Sequence, residues 1–118
     1  MEKLIIKIGA DKMKELKGVF DHPEEVEKNV HTLFLDSTED LYRLLSPQRL
    51  ELLRRLIKHQ AERKTIGELA KELGRKQEAI SRDAAFLAAH QMIKKTKEKR
   101  EVYLKALYKS LDIRLAGA

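Results

Sequence analysis

The stretch TIGELAKELGRKQEAISRDAAFL, residues 65–87, contains two short amphipathic patterns separated by one glycine. In the first pattern apolar residues recur at i, i+3, i+4 and i+7, and Thr65 and Glu68 have the spacing of a capping box, so a short helix is predicted. Gly74 fits the left-handed position at which a helix ends. The second pattern predicts a helix from Gln77 to Ala89. Two helices joined by so short a turn must cross sharply, and the stretch therefore predicts a helix-turn-helix.

A basic β-hairpin is predicted directly after this pair of helices. The segments MIKKTK and EVYLKA are β-prone, and the polar residues EKR between them form a turn. Only Glu98 and Glu101 oppose the positive charge of the hairpin. A hairpin in this position is typical of the wing of a winged helix-turn-helix. Its cations are Lys94, Lys95, Lys97, Lys99 and Arg100.

The polar residues around the start of the second predicted helix indicate a DNA-reading surface. In a helix-turn-helix the N-terminal residues of the second helix face base edges in the major groove. Arginine can pair bidentately with guanine, glutamine with adenine, and serine can bind bases or phosphate. The reading side is expected to be opposite the apolar residues Ile80, Ala84 and Leu87. We expect Gln77, Ser81 and Arg82 to read bases and Arg75, Lys76 and the wing cations to bind phosphates, with Glu78 on the same surface.

A solvated helix face is the alternative interpretation of these residues, because arginine, lysine, glutamine and glutamate are common on any surface. Glu78 and Asp83 would repel phosphate if they faced it. Asp83 is instead predicted to pair with a nearby arginine and so to orient the site. The combination of turn, helix and basic hairpin favours DNA binding over a solvated surface.

The N-terminal segment predicts an extension of the winged domain. KLIIKIG and VHTLFL are strand-like, and the segment between them has Met13, Leu16 and Phe20 at helical spacing. Near the other end, SLDIRL is also strand-like and is expected to pair with another strand edge, for which the N-terminal strand is a candidate. The predicted fold class is mainly α with a small β component (α+β): a winged helix-turn-helix with an N-terminal strand-helix-strand extension.

A further helix is predicted before the helix-turn-helix. Ser46 followed by Pro47 is a helix-start signal, and the helix from Pro47 to about Lys58 is predicted to place Leu50, Leu53 and Ile57 on one face. The predicted domain boundaries are 1–36 for the extension, a candidate dimerisation segment, and 37–118 for the DNA-binding domain.

Charge separates the two parts of the chain. Among 118 residues with a net charge of +6, residues 1–45 carry seven Lys and Arg against ten Asp and Glu, whereas residues 46–118 carry eighteen against nine. We therefore expect only the second part to meet a polyanion.

Several kinds of chemistry are not expected. The chain has no cysteine, and its four histidines have no metal-ligand spacing, so neither a metal site nor a cofactor is predicted. It also lacks a phosphate-cradling glycine loop and a GxSxG motif, and an enzyme is not expected. The apolar runs are too short for a membrane span and no signal-peptide pattern is present, which favours a cytoplasmic location.

Residues 45–106 resemble the winged helix-turn-helix transcription regulators of the MarR, ArsR and DeoR types. The resemblance is carried by LSPQRLELLRRL, by TIGELAKELGRKQEAISRDAAFLAAHQMI and by the wing. The chain is also similar to small predicted regulators of archaea and bacteria and to antitoxin-like DNA-binding proteins. The family pattern has Leu-Gly where this chain has His90 and Gln91. The turn into the wing is therefore expected to hold a side chain in a conformation that favours glycine.

The expected function is sequence-specific binding of double-stranded DNA by a homodimeric transcription regulator. A dimer is expected because one recognition helix covers only a few base pairs. Two alternatives stay open. An antitoxin would also bind a toxin, whose reading frame would lie beside the gene, and a winged-helix module that binds other proteins would lack salt-sensitive retention of DNA.

Overall fold

A computed structural model describes residues 2–22, 24 and 29–116, apart from the side chain of Val19. The described residues form five helices and six strands in two small sheets. In chain order these are β1 (Lys3–Ile8), α1 (Lys12–Asp21), β2 (Val30–Leu35), α2 (Thr38–Leu44), α3 (Pro47–Lys58), β3 (Lys64–Thr65), α4 (Ile66–Leu73), α5 (Gln77–Ala89), β4 (Ile93–Glu98), β5 (Glu101–Ala106) and β6 (Ser110–Leu115). The α+β class and the strand-helix-strand extension are confirmed.

The chain divides into two compact units. One unit, the winged-helix unit, comprises residues 45–109, and the other, the sheet unit, comprises residues 1–44 together with 110–118. The sequence predicts a dimerisation segment in residues 1–36 and a DNA-binding domain in residues 37–118. This functional division of the chain stays a prediction.

Helix α3 opens the winged-helix unit at the predicted start signal. The Ser46 hydroxyl accepts a hydrogen bond from the Arg49 amide at 3.3 Å, and Pro47 occupies the first turn. The face predicted to carry Leu50, Leu53 and Ile57 coincides only in part with the buried face. Leu52, Leu53 and Leu56 are buried, whereas Leu50 is 38% exposed. Because α3 packs against both α5 and β5, its buried stripe is rotated from the predicted one.

The helix-turn-helix forms as predicted from α4, a turn and α5. The Glu68 amide donates to the Thr65 hydroxyl, and the Thr65 amide donates to the Glu68 carboxylate, each at 3.1 Å, which completes the capping box. Gly74 has φ 63°, the left-handed conformation that glycine adopts without steric cost. Helix α5 then buries Ile80, whose side chain is fully enclosed with Ala84 and Leu87.

The wing comprises β4, the turn at Lys99 and Arg100, and β5. A short strand that the sequence did not predict, β3, pairs with β5, so the sheet has the order β3-β5-β4. Gln91 lies in the turn before β4 and has φ 58°. The expected left-handed conformation of a residue other than glycine in this turn is therefore confirmed. The Tyr108 hydroxyl donates to the Gln91 carbonyl at 3.3 Å.

The sheet unit is built on β1. Both β2 and β6 pair with it in parallel, in the order β2-β1-β6, and this confirms the expected pairing of SLDIRL with the N-terminal strand. As the central strand, β1 buries Leu4, Ile5, Ile6 and Ile8. Such a nearly continuous apolar strand is typical of parallel sheets.

Helix α1 crosses from β1 to β2. The Asp11 carboxylate caps it by accepting from the Met13 and Lys14 amides, and Glu15 binds Lys7 of β1 at 2.8 Å. The helical spacing is therefore confirmed, but its apolar residues stay outside the core: Met13 is 74% exposed and Phe20 is 83% exposed.

Candidate nucleic-acid interface

The outer face of α5 carries the residues predicted to read bases. Gln77, Ser81 and Arg82 are exposed along this helix, and a shallow hollow is lined by them together with Glu78 and Ala85. Burial of the opposite face fixes the rotation of the helix about its axis, because Ile80, Ala84 and Leu87 are completely enclosed. The structure therefore brings the three predicted readers together on one solvent-facing surface.

The N-terminus of α5 is electropositive. Lys76 is the N-cap residue, and its side chain makes no capping hydrogen bond to the helix. The N-cap side chain thus supplies no acceptor to the first backbone N–H groups of the helix, and the positive end of the helix dipole adds to the charge of exposed Lys76. Glu78 lies in the first turn, where a carboxylate stabilises the helix. This end of α5 suits contact with an anionic oxygen.

A buried acidic residue lies on the inner side of the same helix. Asp83 is only 9% exposed, and its carboxylate accepts a hydrogen bond from Arg75 at 2.5 Å and lies 3.5 Å from the guanidinium of Arg49. Arg49 also stacks over the Phe86 ring, 4.0 Å from its centroid. The predicted pairing of Asp83 with an arginine thus has a counterpart in the structure, with α3 supplying a second arginine.

Arg75 therefore differs from the other predicted phosphate-binding residues. Its side chain is 14% exposed and engages Asp83, with Gln48 at 3.4 Å from the same nitrogen. This geometry favours a supporting role for Arg75, and its predicted phosphate contact stays a prediction. Arg49 was missed by sequence reasoning, since nothing in the spacing of α3 distinguishes it from the other arginines of that helix.

The wing presents its cations to solvent. All five predicted residues are exposed: Lys94, Lys95, Lys97, Lys99 and Arg100. Cross-strand pairing places Lys95 and Lys97 on one face and Lys94 on the other, while Lys99, with φ 56°, makes the tight turn at the tip. The cations thus surround the end of the hairpin instead of forming a single stripe.

Arg63 packs on the wing near its tip and was also missed by sequence reasoning. Its guanidinium stacks over the Tyr103 ring, 3.8 Å from the centroid, and forms an ion pair with Glu98. The hydrogen bond from Arg63 lowers the pKa of Glu98. Because Arg63 partly neutralises this carboxylate, the acidic residue next to the tip opposes the wing cations less.

Metal ligands do not converge in the described part of the chain. Within it, no three histidine or acidic side chains lie close enough together to hold a metal ion. No helix among the described residues is both long and apolar enough to cross a membrane.

Comparison with solved structures shows a likeness of fold. NolR from Sinorhizobium fredii is 19% identical, with 83% of this chain and 79% of that chain covered and a TM-score of 0.50. The transcriptional regulator HlyU from Vibrio vulnificus CMCP6 is 20% identical over 78% of this chain and 81% of that chain, with a TM-score of 0.47. No curated protein sequence matches the chain.

A family model matches the whole of the winged-helix unit. Residues 44–113 match the model of the HVO_A0114 family, and this segment contains α3, the helix-turn-helix and the whole wing. The matched segment is more than half of the chain, and the protein therefore belongs to the HVO_A0114 family.

Proposed function

We propose that the protein is a transcription regulator that binds double-stranded DNA in a sequence-specific manner and acts as a homodimer in the cytoplasm. The observation that carries the proposal is the exposed polar face of α5 beside a wing whose five cations reach solvent. A recognition helix and a basic hairpin on one unit suit simultaneous contact with base edges and with backbone phosphates.

The residues of this surface divide into readers and phosphate binders. Gln77, Ser81 and Arg82 would read base edges, while Lys76 and the wing cations would bind phosphates. Asp83 with Arg75 and Arg49 would set the direction in which α5 enters the groove. We further propose that the protein is not an enzyme, because the exposed amide, hydroxyl and guanidinium groups of this face are suited to binding.

Selection from a random duplex library tests sequence specificity. We expect enrichment of a short motif repeated with two-fold symmetry, and tighter binding to that motif than to a scrambled duplex of equal length. Affinity for both duplexes should fall as salt rises, with a slope of about −0.9 on logarithmic axes for each phosphate neutralised. Recovery of random sequences with salt-independent retention would contradict the proposal.

Binding of a protein partner, such as a toxin, is the second candidate function. Its supporting observation is the apolar residues of α1, since Met13 and Phe20 are both more than two-thirds exposed. If a protein partner binds the chain and leaves its affinity for DNA unchanged, partner binding is a second activity of the protein. A purified chain that shows no salt-sensitive retention of duplex DNA would favour this candidate over the first.

A further inference from the structure

The outer edge of β6 directs backbone groups away from the sheet. The Ser110 amide donates to the Glu2 carbonyl at 3.3 Å, and the Ala116 amide donates to the Ile8 carbonyl at 2.9 Å, so the even-numbered residues of this strand face β1. The N–H and C=O groups of Leu111, Ile113 and Leu115 therefore point outward, because backbone direction alternates along a strand. As the outermost strand of the described sheet, β6 offers these groups to a further strand.

This edge lacks two of the features that prevent pairing between molecules. SLDIRL contains neither proline nor lysine, the residues that proteins place on exposed edges. Ile113 is 43% exposed and Leu115 is 73% exposed. An edge with apolar side chains and outward backbone groups is suited to the addition of a strand.

The sequence of β6 is complementary to itself in the antiparallel direction. If two copies align with Ile113 opposite Ile113, then Asp112 of each copy lies opposite Arg114 of the other. Leu111 of each copy lies opposite Leu115 in the same alignment. Opposite charges and apolar pairs at directly opposed positions both stabilise a sheet.

Hydrogen-bond geometry selects the same alignment. Because the outward groups belong to the odd-numbered residues, Ile113 and its counterpart would exchange both backbone hydrogen bonds. Asp112 and Arg114 would then occupy the non-hydrogen-bonded positions between these bonded pairs. Directly opposed side chains approach most closely at such positions, which suits the ion pairs.

The other edge of the sheet offers no comparable match. Strand β2, VHTLFL, contains no acidic residue, arginine or lysine, and helix α2 packs beside it. The apolar residues of β6 share one face with Leu4, Ile6 and Ile8 of β1, so a strand added at β6 would continue that face.

We propose that a second copy of this chain pairs with β6 in the antiparallel direction, in the register centred on Ile113, to give one continuous six-stranded sheet. This inference rests on the proposed homodimer and assigns its interface. The interface lies at the C-terminal strand, with the N-terminal strand β1 holding β6 in place.

Charge exchange on the full chain tests this register. Asp112→Arg and Arg114→Asp each place like charges opposite one another in both symmetry-related pairs. We expect each variant alone to weaken dimerisation roughly ten- to hundredfold in sedimentation equilibrium without DNA, because attraction becomes repulsion at two positions. An equimolar mixture of the two variants should restore a dimer, since one copy then carries two cations opposite two anions.

The mixture also controls for effects within one copy. Asp112 contacts Lys3 at 3.3 Å and Arg114 at 3.7 Å in the same chain, so exchanging it also disturbs the monomer. The mixture leaves that disturbance unchanged and alters only the pairing. A second test is Ile113→Pro with Ile113→Ala as its control. Proline removes an outward N–H without removing a bond to β1, so it should abolish the dimer, while alanine should weaken it less.

The outcomes separate this interface from the wider proposals. A dimer that withstands both single exchanges would overturn the β6 pairing but leave the homodimer intact. A wild-type chain that sediments as a 13.7 kDa monomer would overturn both. Loss of DNA binding plays no part in either result, because dimerisation is measured on the protein alone.

Discussion

Arg75 donates a hydrogen bond to Asp83 over 2.5 Å, and this contact joins the turn of the helix-turn-helix to the middle of the helix that follows it. Arg49 of α3 approaches the same carboxylate. One acidic side chain therefore connects α3, the turn and α5. Because this carboxylate is enclosed by its two guanidiniums, its charge opposes bound phosphate less than an exposed carboxylate would.

Asp83→Ala should destabilise the protein and also weaken DNA binding. The change leaves two largely enclosed guanidiniums without their carboxylate, and we expect a loss of about 3 kcal/mol in the free energy of unfolding, measured by urea denaturation. The affinity of Asp83→Ala for DNA distinguishes two possible effects of the substitution, which would change that affinity in opposite directions. Removal of a negative charge alone would strengthen binding, whereas loss of helix position would weaken it.

Glu78→Ala is the matched control for that change. It removes a carboxylate from the same helix at an exposed position, and we expect a change in stability within about 0.5 kcal/mol. Affinity for DNA should rise slightly. Equal effects of the two substitutions on stability and affinity would contradict the positioning role of Asp83.

Arg82→Ala and Lys97→Ala should differ in their effect on sequence preference. If Arg82 reads a base, its loss should cost roughly 1–3 kcal/mol on the selected duplex and relax preference at one position. Lys97 lies near the wing tip, and its loss should weaken all duplexes about equally and reduce the salt slope by about one. Equal loss on selected and scrambled duplexes for Arg82→Ala would make Arg82 a phosphate contact.

The stability of the protein should fall in acid partly through Glu72. The hydrogen bond from Arg55 lowers the pKa of this carboxyl below its ordinary value of 4.5. The ionised form therefore stabilises the folded state above pH 4.5, and this stabilisation is lost as the pH falls through the lowered pKa. Glu72→Gln should reduce stability at neutral pH and flatten the decline in acid, measured by urea denaturation. An unchanged pH profile would show that the pair is too exposed to contribute.

Gln91→Gly should stabilise the protein. The native φ of 58° is strained for a residue with a Cβ atom, and glycine should recover roughly 0.5–1 kcal/mol. The hydrogen bond from Tyr108 is retained because it goes to the backbone carbonyl. Ala85→Gly, at an exposed position of α5, is the control and should instead destabilise by about 1 kcal/mol. Thermal melts of the two variants should shift in opposite directions.

The parts of the fold that the sequence predicts well are those set by local interactions. The capping box of Thr65 and Glu68, the left-handed Gly74 and the strained Gln91 each depend on residues within one turn. The outer face of α5 is also predictable from local sequence. The apolar spacing of Ile80, Ala84 and Leu87 identifies the buried face of the helix, and the outer face lies opposite it.

Features set by distant contacts could not be predicted in this way. The spacing in α3 is compatible with more than one buried face, and packing against α5 and β5 selects the one containing Leu52. Helical spacing in α1 predicts a helix but does not show that Phe20 stays exposed. Arg75 has the charge of a phosphate contact, and only the folded arrangement shows that Asp83 engages it.

The pairing of β1 with β6 has a consequence for the order of folding. Residues 45–109 form one continuous segment, whereas the sheet unit joins residues 1–44 with residues 110–118. Strand β1 cannot pair with β6 until residues 110–115 have been synthesised, and this wide separation in sequence gives the sheet a high contact order. During that interval its apolar edge is open, and synthesis is therefore the stage at which the chain is most exposed to aggregation.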